Sequence, residues 1–296
     1  MIQDGSDRSS QNLTLENCLQ SLVDELAKVS ETAALDLQVL LAEVLGVNRS
    51  WVLAHPEYIL TQVQAQQLES AVNRLTRGEP LPYVLGHWEF YGLDLKVSPA
   101  NLIPRPETEL LVDWVIAWLQ ANPERRFGID VGTGSGCIAI ALTKNVPDLR
   151  MLAIDVSIEA IEIARDNLQK HGVDERVFLV QMDLLNAIQQ PLPAKSIDFI
   201  CANLPYIPTE KLDKLEVSMH EPRKALNGGP GGLKFIHQIL NLAADQLEEG
   251  GCIFLEIGSD QGQAVQDLAL STFSNVDVKV VEDLAGLDRL VVIKIN

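Results

Sequence analysis

No stretch of this 296-residue chain reaches the ~18 consecutive apolar residues that cross a bilayer. The opening Met1-Ile2-Gln3-Asp4-Gly5-Ser6-Asp7 lacks the basic and apolar regions of a secretory signal. No membrane association is expected, and the expected location is cytoplasmic. Cysteines are few and scattered: Cys18, Cys137, Cys201 and Cys252 form no Cys-x-x-Cys pair and read as reduced packing residues. The five histidines have no ligand spacing among them, so no metal is expected. No Ser-His-Asp or Cys-His arrangement supplies a nucleophile, and no internal repeat or low-complexity segment is visible. A run of Lys and Arg is missing too. At a net charge of −18, nothing offers the basic stripe that displaces counterions from duplex DNA, and direct DNA binding is not expected. The acidity serves solubility or steers a basic partner toward a site. Such a chain must rely on a reactive cofactor and on positioning.

What is present is a large apolar content. The chain is 47% hydrophobic and 22% charged, enough to build a core and too apolar for a disordered protein. Its length suggests about two domains. Residues 1–80 read as a helical domain. Thr14 caps a segment with Leu15, Cys18, Leu19, Leu22, Val23 and Leu26 at helical spacing. Thr32 starts a second helix with Leu35, Val39, Leu40 and Val44 inward and Gly46 at its end. A third runs from Thr61 to Gly78 with Val63, Leu68, Val72 and Leu75 as its stripe. This domain carries no polar constellation; it is a packing or dimerisation module, or a module that recognises the substrate.

Residues 81–107 form a Pro- and Gly-rich linker, with a hairpin predicted around Gly92. From 108 to 296 strands and helices alternate. Strands are predicted at 127–132, 151–155, 177–182, 197–202, 252–257, 276–282 and 289–295. Helices are predicted at 108–121, 136–145, 157–170, 232–248 and 260–271. Short apolar strands separated by helices give an α/β, doubly wound, mostly parallel sheet, closed by an antiparallel hairpin through residues 283–288.

Two motifs carry chemistry. Gly132-Thr133-Gly134-Ser135-Gly136 closes one strand and opens a helix, a place to hold a nucleotide-like cofactor. Its spacing is not the Gly-x-Gly-x-x-Gly fingerprint, although a nicotinamide cofactor is not excluded by it. Asp155 ends the next strand, where a carboxylate reaches ribose hydroxyls, and Ser157 is better placed than Asp155 to cap the helix that follows. Asp183 ends the third strand, where it accepts from an adenine amino group or caps a loop; Leu184 offers an apolar wall. The second motif, Asn203-Leu204-Pro205-Tyr206, follows the strand 197–202. The Asn203 side-chain carbonyl and the Leu204 backbone carbonyl can accept the two N–H groups of a planar amide. Pro205 stiffens the turn, and the ring of Tyr206 can lie against the amide plane.

Together these motifs resemble the S-adenosylmethionine-dependent methyltransferases that modify an amide or amino nitrogen. Further segments narrow the resemblance: residues 102–109 (Leu-Ile-Pro-Arg-Pro-Glu-Thr-Glu), Asp155-Val156-Ser157, Glu221-Pro222-Arg223-Lys224-Ala225-Leu226, Leu255-Glu256-Ile257-Gly258 and Asp283-Leu284-Ala285-Gly286. In this order the chain resembles the peptide chain release factor glutamine methyltransferases, the HemK/PrmC family. The resemblance implies a class I methyltransferase fold, a seven-stranded sheet preceded by a helical substrate-binding domain. It implies methyl transfer from S-adenosylmethionine, leaving S-adenosylhomocysteine, to the glutamine amide of the Gly-Gly-Gln motif in bacterial release factors, its protein partners. Gly132 to Gly136, Asp155, Asp183 and Leu184 then hold the cofactor, with Asn203, Arg105 and Glu107 at its edge. Arg105 and Glu107 read equally as a domain-linking salt bridge. Asn203 to Tyr206 hold the glutamine.

Two positions depart from the family pattern. Leu204 stands where the first proline of Asn-Pro-Pro-Tyr is usual, which keeps the accepting carbonyl but loosens the turn. Leu184 stands where an aromatic residue is usual and offers no ring to stack on adenine. Glu221-Pro222-Arg223 and Gly228 to Gly232 are expected to form a mobile flap over the acceptor or a plain crossover loop. Other readings are an adenine-N6 methyltransferase of nucleic acids, a glutamine methyltransferase of another protein such as a ribosomal protein, and a methyltransferase fold kept only as a binding module.

Overall fold

The computed structural model describes residues 14–185, 197–215, 217–244 and 246–296, and the chain divides into two compact units at Gly86/His87. The first unit is helical: α1 (Leu15–Leu26), α2 (Ala33–Leu45), α3 (Arg49–Ala54), α4 (Gln62–Leu75) and α5 (Leu81–Leu85). Thr14 caps α1 by accepting from Asn17 N, and Thr61 with Gln64 forms a reciprocal capping box on α4. Gly46 ends α2 in the left-handed region, as its sequence position predicts. The core is built from Leu15, Leu26, Leu37, Leu40, Leu41, Val52, Leu68 and Val72.

Two inward assignments fail. Leu35 is 40% and Val63 is 63% exposed. In α2 the buried face is Ala33, Leu37, Leu40 and Leu41, so the true stripe lies two residues out of phase with Leu35. In a helix this apolar nearly all round, spacing leaves the phase open and packing decides it. The short helices α3 and α5 escape the periodicity argument because neither is long enough to show a period. α5 lies in the first unit, inside the stretch predicted as linker, and the division falls at 86 where 80 is expected.

The second unit begins with the predicted hairpin, β1 (His87–Phe90) and β2 (Leu93–Lys96), turned through Tyr91 and Gly92 at φ 54° and 73°. There follow α6 (Thr108–Ala121), β3 (Phe127–Val131), α7 (Cys137–Asn145), β4 (Arg150–Asp155), α8 (Ile158–His171), β5 (Val177–Gln181) and β6 (Ile197–Ala202). After three short helices, α9 (Thr209–Leu212), α10 (Val217–His220) and α11 (Arg223–Leu226), come α12 (Lys234–Ala243), β7 (Leu247–Glu256), α13 (Gly262–Thr272), β8 (Val276–Glu282) and β9 (Asp288–Ile295). Among the described residues these make a seven-stranded sheet ordered β5-β4-β3-β6-β7-β9-β8. The first five are parallel; β9 runs antiparallel between β7 and β8. The predicted class, a doubly wound and mostly parallel sheet, is what forms.

Residues alternate strictly between the two faces. Phe199, Cys201, Cys252 and Phe254 pack with α6, α7 and α8; Ile200, Ala202, Ile253 and Leu255 pack with α12 and α13. On the first face Trp118, Phe199 and Phe254 meet edge to face at 5.8–6.3 Å. Each such pair adds about 0.5–1.5 kcal/mol beyond area burial. One boundary differs from expectation: the helix predicted to 248 ends at Ala243, and β7 starts at Leu247, paired with Ile197. Cross-strand pairing overrides helical periodicity there. Cys18, Cys201 and Cys252 are buried free thiols. No helix among the described residues is long and apolar enough to cross a membrane.

Candidate active site

The carboxyl ends of β3, β4, β5 and β6 open onto a cavity of about 570 Å³, where an open α/β sheet binds ligands. At one end the chain leaves β3 through Gly132 to Gly136 and enters α7. Gly132, Gly134 and Gly136 have φ of 75°, 55° and 83°, a region that L side chains avoid. A Cβ on Gly134 would meet nothing nearer than Gly132 O at 4.0 Å, so it would stand in the cavity that the residue lines. The N–H groups of Gly132 and Thr133 both donate to Ile154 O, at 2.8 and 2.9 Å. Beneath the loop the Thr133 hydroxyl donates to Asp130 Oδ2 at 2.6 Å. Asp130 is fully buried, and burial pushes its carboxyl up to about 7.

Asp155, half-buried at the end of β4, shapes the same loop. Its Oδ2 accepts from Gly134 N and its Oδ1 from Ser157 N, both at 2.9 Å. Burial raises its carboxyl above the ordinary value, against these backbone N–H groups. Ser157 Oγ caps α8, accepting from Ala160 N at 3.2 Å, and Asp155 lines the cavity beside it. Gln181, Met182, Asp183 and Leu184 line the facing wall. Leu184 sits at φ 51°, a left-handed backbone costing about 1–2 kcal/mol for a branched side chain. Ser135 also lines the cavity, its hydroxyl beside the Cys137 thiol. An open glycine cradle beside the Asp155 carboxylate fits a polar, nucleotide-like cofactor. Cys137 also lines the cavity, but burial pushes its thiol up to about 12, so it offers no thiolate.

Asn203, Leu204 and Pro205 line the opposite end. The half-buried Asn203 donates from Nδ2 to Thr108 Oγ1 at 3.0 Å. Thr108 in turn donates to Glu256 Oε2 at 2.6 Å, and the Tyr206 hydroxyl reaches Glu256 Oε1 at 3.4 Å. Tyr206 lies behind the turn and is not among the cavity's lining residues. Its backbone carbonyl accepts from Gln261 Nε2 at 3.0 Å. The segment 226–232 packs against the same turn: Ile207 N donates to Leu226 O and Gly228 N to Ile207 O. A Cβ on Gly232, whose φ is 77°, would lie 2.1 Å from Tyr206 O. These glycines allow close approach of two backbones, a different use from the looseness of a flap.

Arg105 lines the cavity and pairs with Glu221, whose Oε2 also accepts from Ile103 N at 3.1 Å. This ion pair lies inside the second unit and ties the loop 99–105 to the segment carrying Pro222, Lys224 and Ala225 at the cavity wall. Glu107 lies elsewhere: it is the exposed N-cap residue of α6, outside the cavity, and acts through space on Tyr206, Glu256 and Arg289. Thr108, Glu256, Glu221, Asp130 and Gln261 are site residues that sequence spacing misses. Four of them sit inside motifs already noted or beside them, but nothing in a motif states which partner each side chain finds.

Comparison with known proteins follows this division of the chain. Residues 17–86 match the family described as PrmC N-terminal domain, and residues 108–229 match the methyltransferase small domain. The chain is 42% identical to the release factor glutamine methyltransferase of Moorella thermoacetica, over 94% of its own length and 97% of the relative's. It is 39% identical to that of Thermodesulfovibrio yellowstonii (88% and 91% covered) and 37% identical to that of Coxiella burnetii (95% and 98%). Among solved structures, the human methyltransferase 10 domain containing protein aligns with a TM-score of 0.52 at 18% identity, over 70% of this chain and 90% of that one. The hMettl16 catalytic domain in complex with MAT2A 3'UTR hairpin 6 aligns at 0.51 and 19%, over 79% and 82%, a likeness of fold alone. With a helical first unit, a class I methyltransferase sheet and near full-length identity to named relatives, the chain belongs to the release factor glutamine methyltransferase family.

Proposed function

We propose that this protein methylates the side-chain amide nitrogen of the glutamine in the Gly-Gly-Gln motif of bacterial release factors, in the cytoplasm. The observation that carries the reading is the pair of ends on one cavity: a glycine cradle with Asp155, and an Asn203 amide fixed by a hydrogen bond from its own nitrogen. S-adenosylmethionine, held by Gly132 to Gly136, Asp155, Asp183 and Leu184, supplies an electrophilic methyl group. Asn203 Oδ1 accepts one N–H of the substrate amide and the Leu204 carbonyl accepts the other. Two acceptors in place draw electron density onto a nitrogen whose lone pair is otherwise delocalised into its carbonyl, and they fix its direction of attack. Tyr206, behind the turn, braces it through its hydroxyl on Glu256. No strong base is needed, since the methylated nitrogen sheds its proton to water. Arg105, held by Glu221, closes the cavity edge, and the helical unit selects the release factor. The excess of 41 acidic over 23 basic residues weighs against a nucleic-acid substrate.

The test is mass spectrometry of a purified bacterial release factor after incubation with this protein and S-adenosylmethionine. The expected result is a gain of one methyl group on the Gly-Gly-Gln glutamine. A product methylated elsewhere, or methylated nucleic acid in its place, would overturn the reading. The cofactor end has its own prediction. Asp155→Ala removes the acceptor of Gly134 N and Ser157 N, so S-adenosylmethionine affinity measured by calorimetry drops by about 10- to 100-fold, the ~1.5–3 kcal/mol of charged hydrogen bonds.

A further inference from the structure

Asn203 works only in one of its two amide orientations. Turned by 180°, its side chain presents N–H groups to the substrate amide, whose own nitrogen is a donor, and the acceptor function is lost. The orientation therefore needs a cause. Asn203 leaves β6, Thr108 begins α6 and Glu256 ends β7, so three separate elements meet at this point. Thr108 and Glu256 are each 2% exposed; Thr108 lines the cavity and Glu256 lies behind it.

From this geometry we infer that Thr108 and Glu256 form a positioning relay that holds the Asn203 carbonyl toward the acceptor; the inference rests on the glutamine-methylating reading. An ionised carboxylate can only accept, so the Thr108 hydroxyl must point its hydrogen at Glu256 Oε2, 2.6 Å away. The Thr108 oxygen then has only lone pairs left, and Asn203 satisfies one through Nδ2 at 3.0 Å. With its nitrogen committed, Asn203 has Oδ1 to offer to the cavity. The same carboxylate receives the Tyr206 hydroxyl, so it anchors both ends of the four-residue turn. The charged and titratable groups facing Glu256 among the described residues are Glu107 from the start of α6, Cys137 from the start of α7, Arg289 from β9 and Tyr206 from the turn. Burial outweighs Arg289 and pushes the Glu256 carboxyl up to about 7. Once protonated, Glu256 becomes a donor to Thr108, whose hydrogen is released to turn toward Asn203 Oδ1.

The experiment compares the full-length wild type with Thr108→Val, Thr108→Ser and Glu256→Gln on a release factor carrying the Gly-Gly-Gln motif. Thr108→Val, matched in shape but without a hydroxyl, is expected to lower kcat by about 10- to 100-fold, the cost of a misplaced reacting group. Its KM for the release factor and its affinity for S-adenosylmethionine stay within about threefold. Thr108→Ser restores kcat. Wild-type kcat falls as pH drops through about 7, and Glu256→Gln, which cannot titrate, loses that acid limb. Equal kcat in Thr108→Val and wild type, no recovery in Thr108→Ser, or an acid limb unchanged in Glu256→Gln each overturns the relay. A wild type that leaves the glutamine unmethylated overturns the functional reading itself.

Discussion

Asn203→Ala lowers kcat for glutamine methylation by about 10²–10³, the usual loss when one positioned electrostatic partner of the reacting group is removed. The substitution deletes the carbonyl that accepts from the substrate amide, while the neighbouring Leu204 carbonyl is supplied by the backbone and survives. The variant keeps its fold, because Asn203 is only half-buried and makes a single side-chain bond, to Thr108. Affinity for S-adenosylmethionine therefore stays near the wild-type value. Single-turnover kinetics with a release factor, alongside calorimetry with the cofactor alone, separate the two. If kcat were intact, the acceptor role of the turn would be excluded whatever the family.

Gly232→Ala has the largest expected effect on stability, a loss of about 2–4 kcal/mol. Two costs add. The backbone at φ 77° resists any L side chain, and the new Cβ would stand 2.1 Å from Tyr206 O and 2.7 Å from Gln261 Nε2. Backbone must move, and the turn that moves is the one holding the acceptor. Gly231→Ala is the internal control: φ is 66° there, but nothing lies within 4 Å of the new methyl, so only the conformational cost of about 1 kcal/mol remains. Denaturant titration of both measures the difference. Equal losses in the two variants would show that close packing on Tyr206 contributes nothing.

Much of this architecture is legible in the sequence because the signals are local. The apolar runs 127–132, 151–155 and 197–202 have no exposed face to advertise, and each becomes a buried parallel strand. Thr14, Thr61 and Ser157 declare helix starts by side-chain chemistry that acts within three residues. The glycine loop is equally local, since a positive φ is a property of single positions. What escapes is whatever depends on distant partners. Leu35 follows helical spacing and yet faces water, because its neighbours decide the phase of α2. Thr108 reads as one residue of a motif, and only the meeting of α6 with β7 reveals its carboxylate. Gly228 and Gly232 read as parts of a loose loop, whereas both are pressed against the acceptor turn at Pro205 and Tyr206. Glu107 shows the reverse error: its motif neighbour Arg105 reaches the cavity, and Glu107, at the start of a helix, does not.

The relay also sets an order in which the protein becomes competent as it leaves the ribosome. The glycine loop and Asp155 lie within one β-α-β stretch of 29 residues, 127–155, and need only neighbouring strands. The acceptor end waits for far longer contacts: Thr108 meets Glu256 across 148 positions, and Tyr206 meets Gln261 across 55. A nascent chain that has not yet delivered β7 thus has the parts of its methyl-donor cradle and an asparagine free to turn either way. Competence to modify a protein arrives only with the strand that brings Glu256.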